Sequence, residues 1–319
     1  MRRIACALAL AGSLYAAERA YELNGRIVPA SPAADSLFGA ATPFHAETVA
    51  DAQGRFRFRK LDPGSYTIAI VIPGHGERRQ TIDVGPGTAD ARGRVAVTIQ
   101  AADSSLVSRE VLQDRATVST RQLSIPASAR REYEQAQKKL ARHDVAAAVS
   151  HLEKAVQLAP RFAAAWNNLG TIAYQTQQYA RAEAHFRKAL LDDPESFEAL
   201  VNLGGVLINE HKLDEALACN TDAVRSRPND ALANSQLGLT YAARGNLDFG
   251  QKYLEIAKRI DPGHFSYPQL ALARIHVQRK EPFAAAEEYR DFLRRHPDTP
   301  EADGVRKALA ELGSLARPN

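Results

Sequence analysis

Residues 163–196 read AAAWNNLGTIAYQTQQYARAEAHFRKALLDDPES, and residues 197–230 read FEALVNLGGVLINEHKLDEALACNTDAVRSRPND. Laid one over the other, they match Leu169-Gly170 with Leu203-Gly204, Ala182 with Ala216, Ala189 with Ala223 and Pro194 with Pro228. The register continues outward on both sides. Pro160, Pro194, Pro228 and Pro262 are each 34 residues apart, and Ala155 and Ala257 stand five residues before the outer two. Ala148 and Gly250 stand twelve before them; Leu237-Gly238 repeats the Leu-Gly pair, and Gln135-Ala136 takes its place in the first unit. Pro297 closes a fifth unit after 35 residues, which puts a one-residue insertion near His264-Phe265. Leu272-Ala273, Ala285 and Tyr289 keep their offsets from it.

These residue types have a physical reason to recur. The early Gly or Ala sits where the first helix of a unit passes closest to the second, and the later Ala lies on the second helix at the same crossing. Leu152, Phe186, Leu254 and Tyr289 fill the space between units. The proline ends the second helix because its ring clashes with the preceding turn. The period and landmarks resemble the tetratricopeptide repeat, a helix–turn–helix unit whose single copies cannot bury their apolar face alone. The resemblance implies an all-α solenoid over residues 129–297, with units near 129–162, 163–196, 197–230, 231–265 and 266–299. Within a capping segment, 300–319, Asp303 to Leu315 reads as an amphipathic helix with Val305, Leu309 and Leu312 inward and Arg306, Lys307 and Glu311 outward. Two departures stand out: Asn220 occupies an interhelix slot that is otherwise large and apolar, and Pro282 stands at the turn inside the fifth unit.

Residues 19–101 follow a different period. Phe56 and Phe58 alternate with Arg55, Arg57 and Arg59; Tyr66, Ile68, Ile70 and Ile72 share one face opposite Thr67, Ala69 and Val71; Val95, Val97 and Ile99 make a third run. Both faces of the second run are partly apolar, as suits a central strand covered on two sides. Asp51-Ala52-Gln53-Gly54, Asp62-Pro63-Gly64, Pro73-Gly74 and Gly85-Pro86-Gly87 punctuate the strands. The expected fold is a small antiparallel β-sandwich, making the chain multidomain: sandwich first, helical solenoid second. The order Tyr21-x-Leu23-x-Gly25-x-Ile27-Val28, then Gly54-x-Phe56-x-Phe58, then Pro63-Gly64-x-Tyr66 resembles the carboxypeptidase regulatory-like domain, a prealbumin-like sandwich. In that family the module is accessory rather than catalytic. Residues 102–128 read as a linker.

At 319 residues, with 45% hydrophobic and 24% charged residues, the chain is long enough for two such parts and ordinary for one that folds. A net charge of +4 is too weak to argue nucleic-acid binding. Arg2 and Arg3 precede Ile4 to Leu14, eleven residues without a charge, then Tyr15-Ala16-Ala17. That is the order of a secretory signal over residues 1–17, and the apolar stretch is too short to span a bilayer. Export to a periplasmic or extracellular location is therefore expected, with no integral membrane span after cleavage. Cleavage would leave Cys219 as the sole cysteine, so no intrachain disulfide would form.

No His-Glu-x-x-His, Gly-x-Ser-x-Gly or Gly-x-x-x-x-Gly-Lys motif occurs, and no His-x-x-Glu pair of a metallocarboxypeptidase. Neither a catalytic site, a metal site nor a cofactor is expected. What remains is binding. The tetratricopeptide resemblance implies that first helices line a concave groove, where Tyr133, Asn167, Asn168, Thr171, Tyr174, Val201, Asn202, Ile208, Gln236 and Leu239 fall. Asn168, Asn202 and Gln236 are equivalent in three consecutive units. A carboxamide both donates and accepts, so such a row can pair with the main chain of an extended peptide, or else brace neighbouring helices. The expected function is a non-enzymatic adaptor that holds a peptide segment of another envelope protein. The alternative is that the sandwich binds an acidic glycan or surface through Arg55, Arg57 and Arg59, with Lys60, Arg78 and Arg79 as candidate neighbours, and the solenoid is a spacer. A solvated strand face is the plainer reading of those cations.

Overall fold

The computed structural model describes residues 20–30, 33–72, 76–100 and 125–315. The expected signal segment, most of the expected linker, Pro73, Gly74 and His75 lie outside the described residues.

Strands β1 (Tyr21–Val28), β2 (Ala34–Gly39), β3 (His45–Val49), β4 (Arg55–Leu61), β5 (Gly64–Ile72), β6 (Gly76–Val84) and β7 (Arg94–Gln100) form two sheets. One has the order β4-β1-β7, the other β3-β2-β5-β6. The alternation along β4 is borne out: Phe56 and Phe58 are buried while the arginines between them are exposed. They meet Tyr66, Ile68 and Ile70 of β5 and Val95 and Ile99 of β7 in one core shared by the two sheets. Gly25 lies opposite Phe56, and a Cβ there would fall 1.8 Å from the Phe56 ring, so only glycine lets that ring cross the strand. Gly54, at φ +71°, makes the tight turn into β4.

One pair departs from the antiparallel rule: β1 and β7 run parallel. The chain returns from β6 through the 85–93 turn and enters the three-stranded sheet where β1 begins, the Glu22 amide donating to the Gly93 carbonyl at 3.0 Å.

The helices are α1 (Ala127–Leu140), α2 (Val145–Leu158), α3 (Ala163–Gln175), α4 (Tyr179–Asp192), α5 (Phe197–Asn209), α6 (Leu213–Ser226), α7 (Ala231–Ala243), α8 (Leu247–Ile260), α9 (Pro268–Gln278), α10 (Pro282–Arg295) and α11 (Ala302–Leu315). They pack as five antiparallel pairs followed by the capping helix α11. Each second helix stops just short of its proline: Leu158 before Pro160, Asp192 before Pro194, Ser226 before Pro228, Ile260 before Pro262 and Arg295 before Pro297. Pro282 is tolerated because it opens α10, where its missing N–H has no helical partner to lose.

The small residues sit at close crossings. A Cβ on Gly170 would come within 2.5 Å of the Phe186 ring, and one on Gly238 within 2.8 Å of Leu254. At the third crossing the neighbour is Asn220, whose Oδ1 lies 1.9 Å from where a Gly204 Cβ would stand. Asn220 is fully buried; its Nδ2 donates to Thr240 Oγ1 at 3.0 Å and its Oδ1 has no partner. It is a half-satisfied polar group in a slot that its neighbours fill with Leu or Phe.

Candidate functional site

The first helices α1, α3, α5, α7 and α9 carry the face on which the groove residues fall. Asn167 and Thr171 share one side of α3, and Gln175 continues the same spacing of four. The equivalent amides reach toward the helix before them. Asn168 Nδ2 donates to the Tyr133 hydroxyl at 3.2 Å. Asn202 Nδ2 donates to Asn167 Oδ1 at 3.3 Å and to Thr171 Oγ1 at 3.4 Å. The Gln236 amide stands over Gly205, where a Cβ would lie 2.7 Å from its Nε2. Tyr174 accepts from Asn209 Nδ2 at 3.3 Å. Apart from the exposed Asn209, these side chains, with Ile208 and Leu239, are half-buried. Val201 differs: it is buried among Phe197, Ala223 and Ala233, inside the packing between units.

The same face meets the β-sandwich. Gln175 Nε2 donates to the Gly39 carbonyl at 2.9 Å and to the Ala40 carbonyl at 3.3 Å. The Phe44 ring stacks on His143 at 4.8 Å, and His143 Nδ1 lies 3.2 Å from Asp62 Oδ2. His45 lies beside Gln137 of α1; its burial, above all, holds its imidazole below the usual range. Farther along, the Thr81 amide donates to Asp261 Oδ2 at 2.8 Å and the Gly87 amide to Asp298 Oδ2 at 2.5 Å. The sandwich therefore crosses the helical array from the first unit to the fifth. The outward side of β5, read as covered, faces this seam with Thr67 and Ala69.

Arg79 corrects one expectation. It does not extend the β4 cations but lies on the outer face of β6, turned to the helices. Its guanidinium is 2.8 Å from Glu77, 3.3 Å from Glu198 and 3.9 Å from Asp230. Burial alone would lower its pKa, yet these three carboxylates hold it above the ordinary arginine value. Arg78 also leaves the stripe, donating to the Gln100 carbonyl at 2.6 Å. Lys60 is the extra residue of a bulge opposite Tyr21 and Glu22, at φ 58°. Arg55, Arg57 and Arg59 do share an exposed face, and each has an acidic neighbour: Asp51 at 2.9 Å, then Glu22 at 3.9 and 3.6 Å. A shallow depression beside them is lined by Asn24, Thr48, Asp51, Arg55 and Arg57.

One constellation at the seam contains the residue types of a nucleophilic triad. Ser65 Oγ donates to Asp83 Oδ1 at 2.5 Å, and His296 Nδ1 lies 2.5 Å from Asp83 Oδ2. A triad needs the imidazole between hydroxyl and carboxylate; here the carboxylate stands in the middle and His296 is buried, so no base faces the serine. Among the described residues no group of three His, Cys, Asp or Glu is placed to hold a metal ion. Cys219 is half-buried on α6, and burial pushes its thiol up, away from the reactive range.

Gln137, His143, Gln175, Asp261, His296 and Asp298 were missed by sequence reasoning, and Arg79 was read only as a neighbour of the β4 cations. The spacing Asn167, Thr171, Gln175 offered a signal for one of them. For the solenoid side of the seam, Asp261 and His296 each immediately precede a unit-closing proline. That places them at one edge of the array.

Residues 129–261 match the family model described as the Cilia and flagella-associated protein 70 middle TPR-like domain. Cellulose synthase operon protein C of Xanthomonas axonopodis pv. citri (strain 306) is 33% identical over 188 residues, 56% of this chain and 12% of that protein. Hsp70-Hsp90 organizing protein 1 of Glycine max is 29% identical over 126 residues, 39% of this chain and 22% of that protein. The chain thus spans less than a quarter of the length of these relatives. Among solved structures, that of PilW, a widely conserved type IV pilus biogenesis factor, aligns with a TM-score of 0.50 at 20% identity, covering 60% of this chain and 92% of that one. No helix among the described residues is long and apolar enough to cross a membrane. The helical half of this chain has the fold of a tetratricopeptide-like solenoid, joined to a β-sandwich of two sheets.

Proposed function

We propose that the chain is a non-enzymatic adaptor of the cell envelope that holds an extended peptide segment of another protein on the first-helix face of its solenoid. The observation that carries this is one surface drawn from consecutive units: the half-buried amides and hydroxyl of Asn167, Thr171, Asn202 and Gln236 beside the half-buried apolar groups of Tyr174, Ile208 and Leu239. Amides can hold a peptide main chain of any sequence, and the apolar groups accept its side chains. The envelope address rests on the charged, apolar and small-residue order of residues 1–17. The sandwich, as a regulatory-like accessory module, adds no catalytic group to this reading.

The test is an Asn168→Ala, Asn202→Ala variant compared with the parent chain by crosslinking and mass spectrometry in envelope extract. Loss of crosslinks between these helices and a partner segment supports the adaptor. An unchanged set overturns it.

A second reading is favoured by the position of Arg55, Arg57 and Arg59. They lie on the β4-β1-β7 sheet, whereas the solenoid contacts come from the other sheet, and Arg26 joins them opposite Arg55. This face would bind an acidic glycan while the solenoid acts as a spacer. Reversing the three charges and measuring co-sedimentation with an acidic polysaccharide separates the two.

A further inference from the structure

The turn between β2 and β3 lies against the C-terminal ends of the first helices α1 and α3, as a bound peptide would. Its Gly39 and Ala40 carbonyls are consecutive, and both accept from the single Gln175 carboxamide. Four residues after Ala40, the Phe44 ring lies on His143. The next residue, His45, lies beside the Gln137 side chain. Gln175 and His143, from two units of the solenoid, thus hold two main-chain carbonyls and an aromatic ring of a non-helical segment, with Gln137 beside its histidine.

The rest of the seam is of a kind that can part. The apolar cluster of the sandwich contains sandwich residues only, and each cluster of the solenoid contains only residues from Ile125 onward. No described apolar cluster joins the halves. Across the boundary run charged and polar contacts: Arg79 with Glu198 and Asp230, Thr81 with Asp261, Asp83 with His296 and Gly87 with Asp298. Several buried polar atoms at the seam, Thr67 Oγ1, Thr81 Oγ1, Gln137 Oε1 and His296 Nε2, have no partner. An interface of this composition is held by electrostatics and hydrogen bonds rather than by burial of a shared core, the pattern of contacts that form and release.

We propose that the Phe38–His45 turn is a resident pseudo-ligand, and that Gln137, His143 and Gln175 form a peptide subsite. The subsite takes a partner segment of the same chemistry: two consecutive carbonyls on small residues, then an aromatic ring four residues on. Such a segment competes with the turn, and the polar seam lets the sandwich yield. This rests on the first-helix face being a peptide-binding surface and names which part of it engages, with what, and what holds it closed.

The experiment titrates a labelled peptide of residues 38–45, Phe-Gly-Ala-Ala-Thr-Pro-Phe-His, against the full chain by fluorescence anisotropy. Arg79→Glu adds a fourth carboxylate to Glu77, Glu198 and Asp230 and opens the seam. This variant is expected to bind the peptide at least tenfold more tightly than the parent. Adding Gln175→Ala is expected to remove at least tenfold of that affinity. Asp261→Ala with Asp298→Ala opens the seam from the solenoid side and must give the same gain, so a folding defect of one variant cannot decide the result. Equal affinity in parent and opened chains, or binding indifferent to Gln175, overturns the proposal. If the peptide fails while Asn168→Ala, Asn202→Ala still loses its partner, this subsite falls and the adaptor stands; if both fail, both fall.

Discussion

The Thr81 amide donates to the Asp261 carboxylate at 2.8 Å, although the two residues are 180 positions apart in the chain. The pair fixes β6 against the loop after α8, next to the point where Arg79 meets Glu198 and Asp230. Because these contacts are charged and each half has its own apolar core, salt should separate the halves before it melts either. Raising ionic strength from about 0.1 to about 1 M shortens the Debye length from about 10 to about 3 Å. Differential scanning calorimetry should show one transition at low salt resolving into two at high salt. Arg79→Ala should show the two transitions already at low salt, because it removes the cation that the sandwich sets against Glu198 and Asp230. A single transition under every condition would mean that the halves are coupled by something other than these charges.

The turns between paired helices carry a second regularity. His143, Gln177, His211, Gly245 and Lys280 all have left-handed φ, between 57° and 81°. Only one of the five is glycine, and a non-glycine residue in this conformation costs roughly 1–2 kcal/mol, partly offset by the greater freedom glycine loses on folding. Gln177→Gly and His211→Gly should each stabilise the solenoid by about 0.5 kcal/mol, and Gly245→Ala should destabilise it by about 1 kcal/mol. Thermal melts of the three single variants check the sign and order.

Gly204 and Asn220 should be coupled. A methyl on Gly204 meets the Asn220 side chain at 1.9 Å, so Gly204→Ala in the parent chain should cost about 2–3 kcal/mol by overpacking. With Asn220→Ala in place the obstacle is gone, and the same methyl should cost little or even stabilise, since alanine is the better helix former. A double-mutant cycle by urea denaturation should give an interaction energy above about 1 kcal/mol. Equal costs in both backgrounds would show that something other than Asn220 demands glycine there.

The solenoid was legible in the sequence because packing one helix against the next imposes a size limit at the same offset in every unit. Gly170, Gly204 and Gly238 record that limit, and the prolines record where each second helix must stop. The sandwich was legible through the alternation of Phe56 and Phe58 with arginines. The seam was not. Arg79 stands in a strand beside Arg78 and reads as another solvated cation; nothing within its own neighbourhood announces Glu198, which is 119 residues away. Gln175 likewise reads as the polar end of a helix until the turn at Gly39 is brought against it. Local periodicity encodes elements that repeat, whereas a contact made once between distant segments leaves no period to read. The amide row shows a subtler limit: equivalence of Asn168, Asn202 and Gln236 was visible, but the reach of each toward the preceding helix depends on stacking geometry.

Asp35 gives the last prediction. It lies on β2 opposite Thr48 and Ile70, is 1% exposed, and neither carboxylate oxygen has a hydrogen-bond partner. Burial raises its pKa from 3.8 to about 7. An acid whose folded pKa is raised binds its proton more tightly in the folded chain, so its contribution falls as pH rises from about 4 to about 7 and stays low above that. His264 acts in the opposite sense: burial lowers its pKa from 6.5 to about 4, so its contribution rises with pH over nearly the same window. The two slopes mask each other in the parent chain, and only a difference between variants separates them. Asp35→Asn removes the buried charge while keeping the shape. It should raise the melting temperature of the sandwich at pH 8, by an amount corresponding to roughly 2 kcal/mol, and leave it nearly unchanged at pH 4. A constant difference between Asp35→Asn and the parent from pH 4 to pH 8 would show that Asp35 is not ionising inside the sandwich.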